Sequence, residues 1–103
     1  VAVIGADALD AVRGEFYSAD AATAMLSRLV QKQVGQTFVV ADSSKFGKSS
    51  LARAGKLGPG VTLFTDDAAS RGDRAAIRKT GAELVMAEAT ESEPTSQGPV
   101  QSV

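Results

Sequence analysis

Phe38-Val39-Val40-Ala41-Asp42-Ser43-Ser44-Lys45-Phe46-Gly47 is the stretch that decides the reading of this chain. A short apolar, β-branched run ends abruptly in an acid, two hydroxyls, a lysine and a glycine. In an open α/β sheet such a switch marks the carboxyl end of a strand, and ligands bind in the crevice beyond the strand tips. Ser43, Ser44 and Lys45 bring hydroxyls, turn-type backbone N–H groups and a mobile ammonium, a set that suits a phosphate. Val1-Ala2-Val3-Ile4 ends the same way, in Gly5-Ala6-Asp7-Ala8-Leu9-Asp10. Two such tips point to one site built from both.

Outward from this stretch, the flanking segments alternate in period. Asp7 to Tyr17 reads as a loop, with a turn at Arg13-Gly14. A helix is expected from Ser18, a good N-cap, with Asp20 in its first turn. Ala22, Met25, Leu26, Leu29 and Val30 fall three and four apart and form one apolar face. Gly35 is a natural residue just past the helix end. Thr37 to Ala41 is the second strand, and its continuous apolar character suits a sheet covered on both faces. Residues 42–60 read as mostly irregular, with a short strand or turn around Leu51-Ala52-Arg53. Val61 to Thr65 is a third strand ending in Asp66-Asp67. A second helix is expected from about Ser70 or Gly72 to Thr80, with Ser70 as a candidate cap and Asp73 three residues on. Glu83 to Ala87 is the fourth strand. The order argues for an α/β fold with a mainly parallel sheet and flanking helices. The expected organisation is an ordered unit over 1–87 and a disordered polar tail over 88–103, where Glu, Ser, Thr, Pro and Gln dominate. A chain that opens inside a strand is expected to be a fragment. Its bare sheet edge is expected to recruit a partner, a second copy or a missing half.

Composition narrows the chemistry. The chain has 103 residues, at most one domain, and its 44% hydrophobic and 22% charged content is that of a soluble globular protein. With no cysteine and no histidine, a Cys/His zinc site and a Ser-His-Asp or Cys-His nucleophile pair are excluded. No metal and no cofactor is expected. The net charge is −1 and the cations are not massed, so the chain alone should bind DNA poorly. No apolar run approaches the roughly 20 residues of a membrane span, and no signal peptide is expected, because Val1-Ala2-Val3-Ile4 is too short and lacks a basic start. A cytoplasmic location is the expectation.

Ala41-Asp42-Ser43-Ser44-Lys45-Phe46-Gly47 at a strand end resembles the signature of the effector-sensing domain of DeoR-type bacterial transcriptional repressors. Ile4-Gly5-Ala6-Asp7-Ala8-Leu9-Asp10, then Arg13-Gly14, is similar to that family's strand and acidic loop. Leu51-Ala52-Arg53, Leu57 and Thr62-Leu63-Phe64-Thr65-Asp66-Asp67 follow its route to the next strand, and Gly81-Ala82-Glu83-Leu84-Val85 resembles its last strand. The resemblance runs over about residues 1–87. It implies a fold like that of ribose-5-phosphate isomerase and the CoA transferases, here only its later portion. It implies a non-enzymatic sensor that binds a phosphorylated sugar or related metabolite. DNA would be bound only through a separate N-terminal helix-turn-helix, and the protein would be a homo-oligomer. A sugar-phosphate isomerase-like enzyme is the alternative. Against it, Ala8 stands where the isomerase pattern carries an acid, and Glu15-Phe16-Tyr17-Ser18 replaces the isomerases' glycine-rich lysine segment.

Six residues are candidates for ligand binding: Asp7, Asp42, Ser43, Ser44, Lys45 and Arg53. Lys45 offers a charge and donor to a phosphate or sugar oxygen; the alternative is a solvated loop lysine. Ser43 and Ser44 either donate to the same anion or close the turn. Asp42 binds a sugar hydroxyl or satisfies the loop's own N–H groups. Asp7 binds ligand or closes the strand end. Arg53 matches the family and either joins Lys45, Lys48 and Lys56 in a local positive field or ties the loop to the sheet. The family's helix lysine falls here at Leu26 or Ser27, and Phe16-Tyr17 replaces its threonine-rich approach to the helix.

Overall fold

Ile4, Val39, Leu63 and Leu84, one from each of the four expected strands, lie side by side in register. The computed structural model describes residues 1–50 and 52–87. Its elements are β1 (Ala2–Gly5), β2 (Ala8–Asp10), β3 (Glu15–Ser18), α1 (Ala21–Gln33), β4 (Thr37–Val40), a 3-10 turn at Ser43–Lys45, β5 (Ala52–Lys56), β6 (Val61–Asp66), α2 (Arg71–Lys79) and β7 (Glu83–Ala87). The order β1-β4-β6-β7 forms a parallel sheet, and β2-β3-β5 forms a second, antiparallel one. The fold is therefore α/β with a mainly parallel principal sheet. The expected tail over 88–103 lies outside the described residues, as does Leu51.

The principal sheet grows in one direction, each new strand beside the last. Right-handed crossovers then place their connections on one face. Ala24 of α1 and Ile77 of α2 accordingly share one core with Ile4, Val39, Leu63 and Leu84. Leu9, Phe16 and Ala54 of the second sheet enter the same core. Phe16, Leu9, Leu63, Ile77 and Val39 are its fully buried large side chains. The opposite face carries Val3, Phe38, Val40, Phe64 and Val85, of which Val3, Val40 and Val85 are exposed. Phe38 and Phe64 meet there edge to face at 5.3 Å.

Several expectations need correction. The segment from Asp7 to Tyr17 is not a loop but holds β2 and part of β3. Leu9 and Phe16 pair across these strands, and the turn between them closes at Gly14, whose φ of +67° suits glycine. The helix cap is Asp20, not Ser18: its carboxylate accepts the Ala22 and Thr23 amides, while Ser18 ends β3 and its hydroxyl accepts the Asp20 amide. The helix leaves through an extended Val34, and Gly35 follows without a left-handed φ. The apolar face of α1 does not face the core. Ala24 and Ser27 do, whereas Met25, Leu26, Leu29 and Val30 are exposed.

The region 42–60 is less irregular than expected, because Ala52–Lys56 forms β5 against β3. Gly55 has no side chain for a reason. A Cβ there would lie 2.5 Å from Phe16 Cζ and from Gln31 Oε1. Gln31 uses that space to donate to the Ala54 carbonyl at 2.8 Å, which docks α1 on β5. The later expectations hold: Ser70 caps α2 and accepts the Asp73 amide at 3.0 Å, and the last strand spans Glu83–Ala87.

Candidate functional site

β1 and β4 are parallel neighbours, so the turn holding Asp7 and the turn holding Asp42 to Lys45 leave the same rim of the sheet. β6 is the next neighbour, and its tip brings Asp66 to the same rim. Ligand crevices of open α/β sheets lie along such a rim.

The 42–47 turn is held by its own amides. The Ser43 amide donates to Asp66 Oδ2 at 2.9 Å, and the Ser44 amide donates to Asp42 Oδ1 at 2.9 Å. The Lys45 amide reaches the Asp42 carbonyl, the Phe46 amide the Ser43 carbonyl, and the Gly47 amide the Leu9 carbonyl at 2.9 Å. Five successive N–H groups are thus already committed. The hydroxyls are committed too: Ser44 Oγ donates to Asp42, and the Ser43 hydroxyl bonds Asp66. Among the described residues the half-buried Lys45 ammonium makes no hydrogen bond or ion pair. It is a donor of this turn that the described residues leave without a hydrogen bond.

Two carboxylates titrate lower because of these bonds. The Ser44 hydroxyl, then the Ser44 amide and the Lys45 charge, hold Asp42 below the ordinary carboxylate range, against some push upward from Asp66. The Ser43 amide, then the Ser43 hydroxyl and the Ala68 amide, lower Asp66. Both therefore stay anionic at neutral pH. Beside them, Val40, Phe64, Val85 and Ala87 line an apolar depression of about 280 Å³ together with Asp42 and Asp66. It opens on the sheet face away from the helices.

The other candidates are placed differently. Asp7 Oδ2 accepts the Ala19 amide at 2.8 Å, so this carboxylate ties the tip of β1 to the start of α1. Arg53 lies on β5, in the second sheet, with its guanidinium 3.6 Å from Glu15 Oε2. Its carbonyl accepts from Arg28. Lys56 stands opposite Glu15 in register. The basic cluster of the sequence is therefore divided, with Lys45 at the rim and Arg53 and Lys56 beside an acid. Glu15 also accepts from the Tyr17 hydroxyl at 2.7 Å, which raises the tyrosine pKa together with burial. Of the two positions for the family's helix lysine, 27 faces inward and 26 faces outward. Asp66 was not singled out as a site residue from sequence, although β6 ends in the same apolar-to-acid switch as β1 and β4. Among the described residues no cluster of acidic side chains could hold a metal ion, and no helix is long and apolar enough to cross a membrane.

A mainly parallel α/β unit with a polar, lysine-bearing turn at adjacent strand tips defines a small-molecule-binding domain. The profile of the family described as DeoR C terminal sensor domain matches residues 1–67, and the chain belongs to that family. It is thus a ligand-sensing regulatory domain. No curated protein and no solved structure matches the chain.

Proposed function

We propose that this domain senses a phosphorylated sugar or a related metabolite at the shared rim of β1, β4 and β6. The uncommitted Lys45 ammonium supports this reading. Every other donor of its turn serves the protein, so an anionic ligand is met by Lys45 as a point charge. Asp42 and Asp7 offer acceptor lone pairs to sugar hydroxyls. Ser43 and Ser44 shape the turn, and Arg53 acts from the flank through the second sheet. The sensor unit extends past the matched residues to Ala87, because β7 completes the parallel sheet beside β6. Binding regulates DNA affinity exerted by a separate helix-turn-helix, in a homo-oligomer. Such control needs a ligand that prefers one state by about 1–3 kcal/mol.

An isomerase-like enzyme is the weaker reading. The position that would carry its second acid is Ala8, buried at 2% exposure beneath the turn, where a carboxylate would be desolvated. The test is a thermal-shift panel of phosphorylated sugars against their unphosphorylated counterparts. A ligand that binds only the folded state raises the melting temperature. Stabilisation by the phosphorylated set alone is expected. No stabilisation by any member, or turnover of one, would overturn the reading.

A further inference from the structure

We infer that the ligand of the rim is a nucleoside monophosphate, with its base laid on the open face of the sheet beside Asp42 and its phosphate on Lys45. This rests on the sensing reading above and narrows its ligand class. The open face of the principal sheet changes character in steps towards the rim. Val40, Phe64 and Val85 lie side by side in register on β4, β6 and β7. Side chains two residues apart share a face. The next row is therefore Asp42, Asp66 and Ala87, and Asp66 pairs with Ala87 in register. Both rows line the depression of about 280 Å³. Lys45 follows in the turn beyond Asp42. The surface thus runs from apolar, through carboxylate, to cation.

Each zone matches one part of such a ligand. Three adjacent strands and one two-residue step make an apolar shelf about 10 Å wide and about 7 Å deep, which suits the flat face of a heterocycle. Val40 and Val85 are 48% and 44% exposed, so a ring laid there removes apolar surface from water. The Phe64 ring is already seated edge to face on Phe38. In the second row, Asp42 Oδ1 takes the Ser44 amide and hydroxyl, whereas Oδ2 accepts no hydrogen bond among the described residues. The lone pairs of Oδ2 suit the neighbouring hydroxyls of a ribose. The Lys45 charge acts on Asp42, so the ammonium stands close to this row, on the side where a phosphate follows the sugar. A bare sugar phosphate would engage the carboxylate and the lysine and leave the apolar row in water. Base, ribose and phosphate, in that order, cover all three zones.

Isothermal titration calorimetry of the full chain with adenosine 5′-monophosphate, its dideoxyribose analogue and ribose 5-phosphate tests this. The nucleotide should bind at least about tenfold more tightly than ribose 5-phosphate, because its base buries apolar surface. The dideoxy analogue should bind about tenfold more weakly than the nucleotide, having lost the hydroxyls that meet Asp42. Val40→Asp and Val85→Asp should each abolish the preference for the nucleotide. Both side chains are exposed, so circular dichroism should show the variants folded. In the wild-type complex, nuclear Overhauser contacts should join the adenine protons to the Val40 and Val85 methyls. Ribose 5-phosphate binding as tightly as the nucleotide would overturn the inference and leave the sensing reading standing. So would the absence of those contacts, or a preference that survives in both valine variants. Binding of neither compound would overturn the inference and the sensing reading together.

Discussion

Asp66 Oδ2 accepts the Ser43 amide at 2.9 Å, so the tip of β6 holds the first residue of the turn that presents Lys45. The bond joins neighbouring strand tips, and the acid's other oxygen accepts the Ala68 amide at 2.9 Å. Asp66→Ala removes both anchors. The Ser43 amide should then exchange with solvent at least about tenfold faster in hydrogen-exchange measurements, as expected when a local tether is lost. An unchanged rate would show that the turn is held by other contacts.

Lys45→Ala should weaken binding of a phosphorylated ligand by about 1.5–3 kcal/mol, the range for a hydrogen bond to a charged group. Stability should be nearly unchanged, because among the described residues the ammonium makes no hydrogen bond or ion pair and acts on the exposed Asp42 only through its charge. Isothermal titration calorimetry measures the affinity. Equal affinity for wild type and variant would remove Lys45 from the site.

Gly55→Ala should destabilise the domain by about 1–3 kcal/mol, the usual cost of overpacking. The added methyl meets Phe16, which is fully buried, and Gln31, which is bonded to Ala54. Chemical denaturation gives the value. A neutral result would mean that α1 slides on β5 without loss.

Thr65→Val should stabilise the protein by about 1 kcal/mol. Thr65 Oγ1 is buried without a hydrogen-bond partner among the described residues, and replacing an unsatisfied hydroxyl by a methyl of similar shape removes its desolvation penalty. A lower melting temperature for the variant would show that the hydroxyl is bonded in solution.

The pH dependence has a defined sign. Asp20, Asp42 and Asp66 are all lowered from the ordinary carboxylate value of 3.8, Asp20 chiefly by the Thr23 hydroxyl. The unfolded chain therefore binds more protons than the folded one at acid pH. Their contribution is present above pH 3.8 and is lost as pH falls through the lowered native values. Tyr17 acts at the other end: its pKa is raised above 10.0, so its contribution is present below pH 10.0 and is lost above it. Denaturation midpoints followed across pH should fall on both flanks. A midpoint that rises on acidification below pH 3.8 would contradict the bonds described.

Strands were legible where side chains decide them. Val39, Leu63 and their neighbours form continuous apolar runs, and these became the parallel sheet within a residue or two of the expected bounds. Ser70 was legible as a cap because Asp73 and a helical pattern followed it. Of the second sheet only a short strand or turn around Leu51-Ala52-Arg53 was legible, at the start of β5, and its pairing was not. β2 is three residues long, and β5, Ala-Arg-Ala-Gly-Lys, carries no β-branched residue. It is made a strand by Phe16, Gln31 and the absent side chain of Gly55, which are tertiary causes. The stripe on α1 was legible as a stripe, but not its direction. Small residues let the other face of the helix approach β5 closely, and Gln31 supplies the bond that fixes it there. At the site, the rim and Lys45 could be read from strand-end chemistry. The commitment of every amide in the turn could not, because Asp66 and Leu9 reach it from distant parts of the chain.

Leu9 is fully buried and bridges to Phe46, while its carbonyl takes the Gly47 amide. The lysine turn is consequently stitched at one end to Asp66 on the principal sheet and at the other to β2 of the smaller one. It works as a linchpin: tugging Lys45 by its charge pulls on both layers at once. A metabolite held by Lys45 at the rim, as proposed, would therefore bear on both layers at once and, through Gln31 on the Ala54 carbonyl of β5, on α1.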